Sequence, residues 1–270
     1  MKNKEPSSPI PGSYIPSACI TNEEALMLYR MYKRGKRIVI RMNIRSRDMN
    51  YKVSSRNTVF EIKGSKHPDE IVLISAHMDS WDVGQGALDD GAGVAAVRSA
   101  MYTIKALAER DPKFRPKRTI RAVFWTAEEQ GYIGSTAYEK AHKHENFVFA
   151  SETDQDPVLE MKFIHSSSLL TDSKCVLQMG YIRSIAEVLR HSQIPLDVEY
   201  GESQGDVFSF AQQRGVPSVN YVPDKNGDFY FKFHHSPADY VSVLQDGDLE
   251  YTASIFASMV HIVANLDEWA

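Results

Sequence analysis

The sequence predicts an α/β fold, a mostly parallel sheet flanked by helices and preceded by a short N-terminal appendage. After about Ser55, short apolar runs alternate with longer amphipathic ones, the rhythm of strand, helix and strand from which parallel sheets are built. Three of the apolar runs also break off abruptly into acids or a histidine, as strands do when their carboxyl ends line a ligand crevice. A length of 270 residues suits one large domain with a small addition. With 43% hydrophobic and 24% charged residues, the composition excludes a disordered chain, a collagen-like repeat and a long coiled coil.

The segment to about Pro16 is rich in Pro, Ser and Gly and reads as a tail that orders only if docked. From Asn22, NEEALMLYRMYKRG offers an N-cap, acids in the first turn, apolar periodicity and Gly35 as a stop. In RIVIRMNIR, Ile38, Ile40, Met42 and Ile44 alternate with polar neighbours, which predicts a half-exposed strand. Eight basic residues fall between Arg30 and Arg47 without an acid; they read as a solvated face, with an anionic docking surface as the alternative. NTVFEIKG and EIVLISAHMD are predicted strands, GAGVAAVRSAMYTIKALAER a helix, RTIRAVFWTAEE a strand, the region near Ser135 to His144 a helix, and FVFASETD a strand. Farther on, KCVLQMGYIRSIAEVLRHS and DLEYTASIFASMVHIVANLDEW have helical periodicity, with VPSVNYV a buried strand between them.

Several function classes fall away on composition. Thirty-one Lys and Arg against 35 Asp and Glu give a net charge of -4, so no global pull toward nucleic acid exists. Cys19 and Cys175 are too few and too far apart for a disulfide framework, a CxxC motif or a Cys-based zinc site, and read as free thiols, with one bridge between them as the alternative. The apolar stretch from Tyr251 to Leu266 is too short for a membrane span, and the N-terminus lacks the apolar run of a signal peptide.

The chemistry gathers at the strand ends. IVLISA ends in His77 and Asp79, IRAVFWTA in Glu128 and Glu129, and FVFASE runs on to Asp154. One HxD on a strand is unremarkable, but the ending repeated on three strands points to a metal site. In WDVGQGALDDGAG, Asp89 and Asp90 suit either a helix start or the same ligand set. His234 and His235 after FYFKF add two more ligand-type groups, though one surface and one core histidine would also explain them. Asp79, two residues from His77, suits a carboxylate that orients a ligating imidazole from behind.

The order HxD, DDGxG, WTAEEQG, ETD and HHS resembles the co-catalytic zinc metallopeptidases of the aminopeptidase and glutamate carboxypeptidase clan. The stretches SAHMDSWDVGQGALDDGAG and RPKRTIRAVFWTAEEQG resemble one branch of it in particular, and the likeness runs from about Ile15 to near the C-terminus. The resemblance implies the zinc exopeptidase, phosphorylase/hydrolase-like architecture with a mixed, mostly parallel sheet. It implies that His77, Asp89, Glu129, Asp154 and His235 bind two Zn2+ per chain, with Asp89 bridging and Glu128 as general base. Asp206 in GESQGDVFSF and His234 would serve the substrate, Asp206 as a substrate-facing acid or a positioning group, with a simple helix-start acid as its alternative. The peptide bond from Asp89 to Asp90 would be cis. Two Zn2+ nearly cancel three carboxylates and a bridging hydroxide, and such a balance favours an activated water near neutral pH.

The activity implied is hydrolysis of dipeptides or short peptides with free termini. Open beside it are a single-zinc enzyme like the glutaminyl cyclases and a non-catalytic binding module of the transferrin receptor kind. Members of the branch start with a signal peptide and carry an inserted protease-associated domain, of which only the last part is expected here. Residues 1–55 accordingly read as tail and remnant, 56–270 as the zinc peptidase domain, and the chain as N-terminally truncated. The resemblance places such proteins outside the cell or in the lysosome and secretory pathway; partners would be small peptides, without nucleic acid or a membrane span, and a homodimer is left open.

Overall fold

The computed structural model describes residues 17–45, 47, 49, 51–154, 161–166, 173–192, 194, 196–201, 204–222 and 229–269. The chain divides into two units, Met1–Val53 and Ser54–Ala270. In the first, α1 (Asn22–Lys33) starts one residue earlier than expected, because Thr21 is the cap. Its Oγ1 accepts the Glu24 N–H at 3.1 Å while the Glu24 carboxylate accepts the Thr21 N–H, which closes a capping box. The strand expected in RIVIRMNIR does not form, and residues 36–45 are irregular. Val39 and Ile40 are 76% and 68% exposed; apolar alternation makes a strand only where a neighbour takes its backbone N–H and C=O groups. The tail before Pro16 and the Cys175 side chain lie outside the described residues, and Cys19 is a free, exposed thiol.

The second unit runs β1 (Thr58–Ile62), β2 (His67–His77), α2 (Ala92–Arg110), β3 (Arg118–Trp125), α3 (Ile133–Ala141), β4 (Asn146–Glu152), β5 (Met161–Ser166), α4 (Ser173–His191), β6 (Leu196–Tyr200), α5 (Phe208–Arg214), β7 (Ser218–Val222), α6 (Tyr230–Phe233) and α7 (Asp248–Asn265). A seven-stranded sheet has the order β1-β3-β2-β4-β7-β5-β6. β2 lies parallel to β3 and β4, β4 to β7, and β5 to β6; β1 and β5 pair antiparallel with β3 and β7. This is the mixed, mostly parallel sheet expected. β5 and β6 were not expected, since segments of five or six residues carry too few periods to stand out, whereas α5 follows the helix start read at Asp206.

Period-two alternation on β2 sorts its side chains into two cores. Val72, Ile74 and Ala76 pack with Val97 and Ile104 of α2, Ile182 of α4 and Phe256 of α7. Ile71 and Leu73 join Trp125 of β3, Tyr138 of α3 and Phe210 of α5 on the opposite side. Each fully buried aliphatic side chain contributes about 1.5 to 3 kcal/mol, so the central strands are the most firmly held part of the chain. Buried Arg121 on β3 donates to Glu61 at 2.6 Å, to Glu145 and to the Tyr138 hydroxyl at 2.9 Å, tying β1 and the turn after α3 to the sheet. Among the described residues no helix is long and apolar enough to cross a membrane.

The parallel register decides where chemistry sits. His77 pairs with Trp125 and Ser75 with Glu152, so β2, β3 and β4 end at one edge. No residue of α1 is buried, whereas Val72 to Ile74 are fully so. Amide hydrogen exchange should therefore be fast across α1, through local opening, and slow at Val72 to Ser75; equal protection factors in peptide-resolved exchange would refute this.

Candidate metal centre

His77, the last residue of β2, is 1% exposed. Its backbone N–H donates to Asp90 Oδ2 at 2.9 Å, and its Nδ1 lies 2.8 Å from the Asp79 carbonyl oxygen. A carbonyl only accepts, so Nδ1 carries the proton and Nε2 is turned to the cavity, where Asp89 Oδ1 stands at 3.0 Å and Asp154 Oδ1 at 3.1 Å. Asp79 thus orients the imidazole through its backbone, not through the carboxylate as the sequence led one to expect. Beyond His77 the chain leaves the strand, and the Asp79 side chain turns instead to the Glu128 and Glu129 N–H groups, which it accepts at 3.1 and 3.2 Å.

The Asp89–Asp90 peptide is cis, and the pair divides the two readings of DDG between them. Asp90 accepts the His77 N–H and, at 3.2 Å, the Gly93 N–H in the first turn of α2; a Cβ on Gly93 would stand 2.1 Å from Asp90 Oδ1. Asp89 faces the cavity, with Oδ2 at 3.4 Å from His235 Nε2 and 3.5 Å from His234 Nε2. Glu129 Oε2 lies 2.7 Å from His235 Nε2, and Glu128 Oε2 lies 3.9 Å from His77 Nε2. His235 stacks on Trp81, with ring centroids 4.3 Å apart and planes 9° apart, and also against His234.

Ala127, Tyr132 and His235 all have left-handed backbones, with φ of 56°, 58° and 54°. Each such non-glycine residue costs about 1 to 3 kcal/mol, and all three stand in or beside the loops that present Glu128, Glu129 and His235. The groups converge on a cavity of about 340 Å3, lined by Asp89, Glu128, Glu129, Asp154, His234 and His235 together with Tyr132, Tyr230 and Phe231.

Asp206 is not a wall of that cavity. It is fully buried in the turn Gly205–Val207, next to Glu152, whose Oε2 accepts the Val207 N–H at 3.3 Å. The substrate-facing reading is thereby corrected, because the short turn folds Asp206 inward; a positioning role is what its place allows.

Burial and charge crowding mark several of these groups. Burial, then the charge of Asp154, pushes the Glu128 carboxyl up to about 8. Burial raises Glu129 and Asp154 as well, and pushes Asp206 up to about 7 against the pull of Ser135. Burial disfavours a charged His77, yet its bonds to Asp154 and Asp89 outweigh burial and raise it. The donor set suits a metal cation. Ligand atoms of His77, Asp89 and Asp154 lie within 4.8 Å of one another, as do those of Asp89, His234 and His235, and Glu129 Oε1 is buried without a hydrogen-bond partner among the described residues.

Sequence reasoning passed over three residues that frame the site. Glu152 anchors the Asp206 turn, Asn57 clamps the Glu128 loop by accepting from Thr126 N–H at 3.1 Å and donating to Gly134 O at 2.9 Å, and Asp239 accepts from Leu88 N–H at 2.7 Å. Asp239 offered a faint signal, following the HHS motif by a few residues; Asn57 offered none.

Residues 57–260 match the family model described as peptidase family M28. Carboxypeptidase Q of Bos taurus is 38% identical over 258 residues, covering 94% of this chain and 51% of its own length; that of Homo sapiens is 37% identical over 258 residues with the same coverage. The chain spans about half the length of the curated relatives it matches. Among solved structures, a peptidase M28 precursor from Shewanella amazonensis aligns with a TM-score of 0.70 at 28% identity, over 92% of this chain and 53% of that one. BSAP, a zinc aminopeptidase from Bacillus subtilis, shares the fold with a TM-score of 0.59 at 20% identity, over 79% of this chain and 51% of its own.

Gly205 has φ +68°, and a Cβ there would stand 2.3 Å from Glu152 Oε2. Gly205→Ala should lower the unfolding free energy by about 2 kcal/mol, combining left-handed strain with displacement of Glu152. An unchanged urea midpoint would show that the turn and Glu152 part without penalty.

Proposed function

The chain belongs to peptidase family M28, and we propose from that premise that it is a dizinc exopeptidase, hydrolysing the peptide bonds of dipeptides or short peptides with free termini. The observation that carries the reading is the reach of one carboxylate: Asp89 Oδ1 is 3.0 Å from His77 Nε2 and Asp89 Oδ2 is 3.4 Å from His235 Nε2. His77 and Asp154 would hold one ion, Glu129 and His235 the other, and Asp89 both. Zinc, when bound, lowers the pKa of water and polarises a carbonyl.

Glu128 is placed to move the proton. Its carboxylate enters the shared cavity and its N–H is fixed by Asp79. With cations bound beside it, Glu128 would be deprotonated, and its carboxylate would take a proton from the attacking water and pass it to the leaving amine. His234 faces the substrate from the cavity wall, and Tyr132 and Phe231 supply apolar surface that excludes water. Asp206 acts from behind, by its charge on Glu152 and Asp154. The same proposal takes residues 1–55 as tail and end of an inserted protease-associated domain and 56–270 as the peptidase domain, which is supported by a family match that begins at residue 57. An extracellular or lysosomal setting follows from the resemblance.

Zinc analysis of the purified chain, paired with a dipeptide hydrolysis assay, tests the proposal. Glu128→Gln should keep its zinc and lose about 10² to 10⁴ in turnover, whereas Glu129→Gln should lose metal. Equal zinc loss in both would undo the division of roles, and saturation at one ion that survives dialysis would favour the single-zinc reading.

A subtler effect is expected at Asp206. Asp206→Asn removes the buried charge without changing shape, and kcat should fall by roughly 10-fold or more while KM moves little, the usual size for a group that orients ligands. Identical kcat and KM would leave Asp206 as a helix-start acid.

A further inference from the structure

We infer that Asp239 is a positioning residue that sets where the Asp89 carboxylate stands relative to His235, and thereby governs cation affinity in the half of the centre built from Asp89, Glu129 and His235. The inference rests on the two-ion reading above and assigns control of one half to a residue outside the ligand set.

Asp239 is 4% exposed, and both oxygens of its carboxylate are engaged on consecutive amides of the Asp89 loop. Oδ1 accepts from Leu88 N–H at 2.7 Å and Oδ2 from Asp89 N–H at 3.2 Å. Its carbonyl oxygen accepts from Gln85 N–H at 3.0 Å, so one residue grips the loop at three amides. On its own side Asp239 belongs to the turn that carries His235. Its N–H donates to the Ser236 carbonyl at 3.2 Å, while Ser236 Oγ donates to Phe233 O at 2.7 Å and accepts from Ala238 N–H at 3.2 Å. The two loops also meet directly, since a Cβ on Gly84 would stand 2.7 Å from Ser236 O, and Trp81 stacks on His235.

The residue type follows from this arrangement. A buried carboxylate beside other acids is unfavourable, and a neutral Asn would carry less electrostatic penalty. Asn, however, offers one acceptor oxygen and one NH2, and would turn a donor against a second donor. Only a carboxylate presents two acceptors at the spacing of successive N–H groups. With both bonds made, the Asp89 backbone cannot shift without carrying the His235 turn along.

The test uses the full chain as wild type, Asp239→Asn and Asp239→Ala. Cobalt(II) is titrated into metal-free protein and followed by visible absorption, with thermal unfolding of the metal-free forms recorded in parallel. Wild type should take up two ions. In the variants one binding step should weaken by about 10 to 100-fold with an altered cobalt spectrum, while the other stays within about 3-fold. Asp239→Asn, nearly isosteric, serves if the alanine variant folds poorly. Wild-type affinity at both steps would overturn the inference, and so would equal weakening of both steps with a lowered metal-free midpoint, the mark of a merely structural residue. A wild type that takes one cobalt would defeat the two-ion reading instead, and Asp239 would then stand or fall on whether that single step weakens tenfold.

Discussion

Buried negative charge at one edge of the sheet is the constraint around which the rest of the molecule is arranged. Asp89, Glu129, Glu152 and Asp206 are all nearly or fully buried, and Glu128 and Asp154 stand beside them. Two like charges about 4 Å apart repel by roughly 4 kcal/mol at the effective dielectric of a protein, so such a cluster stays ionised only with opposing attractions and otherwise takes up protons. Part of the opposition is built into the backbone. Asp79 takes the Glu128 and Glu129 amides, Asp90 those of His77 and Gly93, Asp239 those of Leu88 and Asp89, and Glu152 that of Val207. Among the described residues, the carboxylates that face the cavity have no comparable supply of amides. Cations are the natural complement to that remainder, and the histidines provide nitrogen donors beside them.

The sheet makes this crowding bearable because it is stiff where the ligands leave it. Trp125, the last residue of β3, is fully buried against Tyr138 and Phe210, and the chain turns into the Glu128 loop directly from that anchor. Left-handed backbones at Ala127 and Tyr132 are then held from both sides, by the strand end and by Asn57, which joins Thr126 to Gly134. Local strain of this sort persists only where surrounding packing over-determines the conformation. The division of labour is plain: the apolar cores keep β2, β3 and β4 in register, and the loops spend their freedom on aiming side chains.

Much of the site was legible because it hangs on strand endings, and those are written in consecutive letters. His77, Glu128, Glu129 and Asp154 announce themselves by following apolar runs, and the parallel register then brings them together. What stayed hidden depends on contacts between distant segments. Nothing near Asp239 in the chain says that Leu88 is its partner, and nothing near Asn57 points to Gly134. The Asp79 reading failed for a related reason: spacing tells which residues share a strand, but not where the strand stops, and His77 is its last residue. RIVIRMNIR misled in the opposite sense, since alternation describes one side of a pairing and the partner was never in the pattern.

The same dependence on distant segments ties function to stability. The ligand-type side chains come from the ends of β2, β3 and β4, from the loop before α2 and from the turn after α6. In an unfolded chain these groups are scattered, so a cation held by all of them favours the folded arrangement alone. Asp89 lies at the crossing of these links, because its loop is gripped by Asp239 from the His235 turn while its neighbour Asp90 is bound to the end of β2. A shift at the Asp239 attachment moves the Asp89 carboxylate relative to His235, and a shift at the Asp90 attachment moves it relative to His77. Geometry there is accordingly set less by the ligands themselves than by the backbone amides behind them, and it is those amides, with Asp79, Asp90, Asp239 and Glu152 as their acceptors, that make a crowded set of acids a defined site.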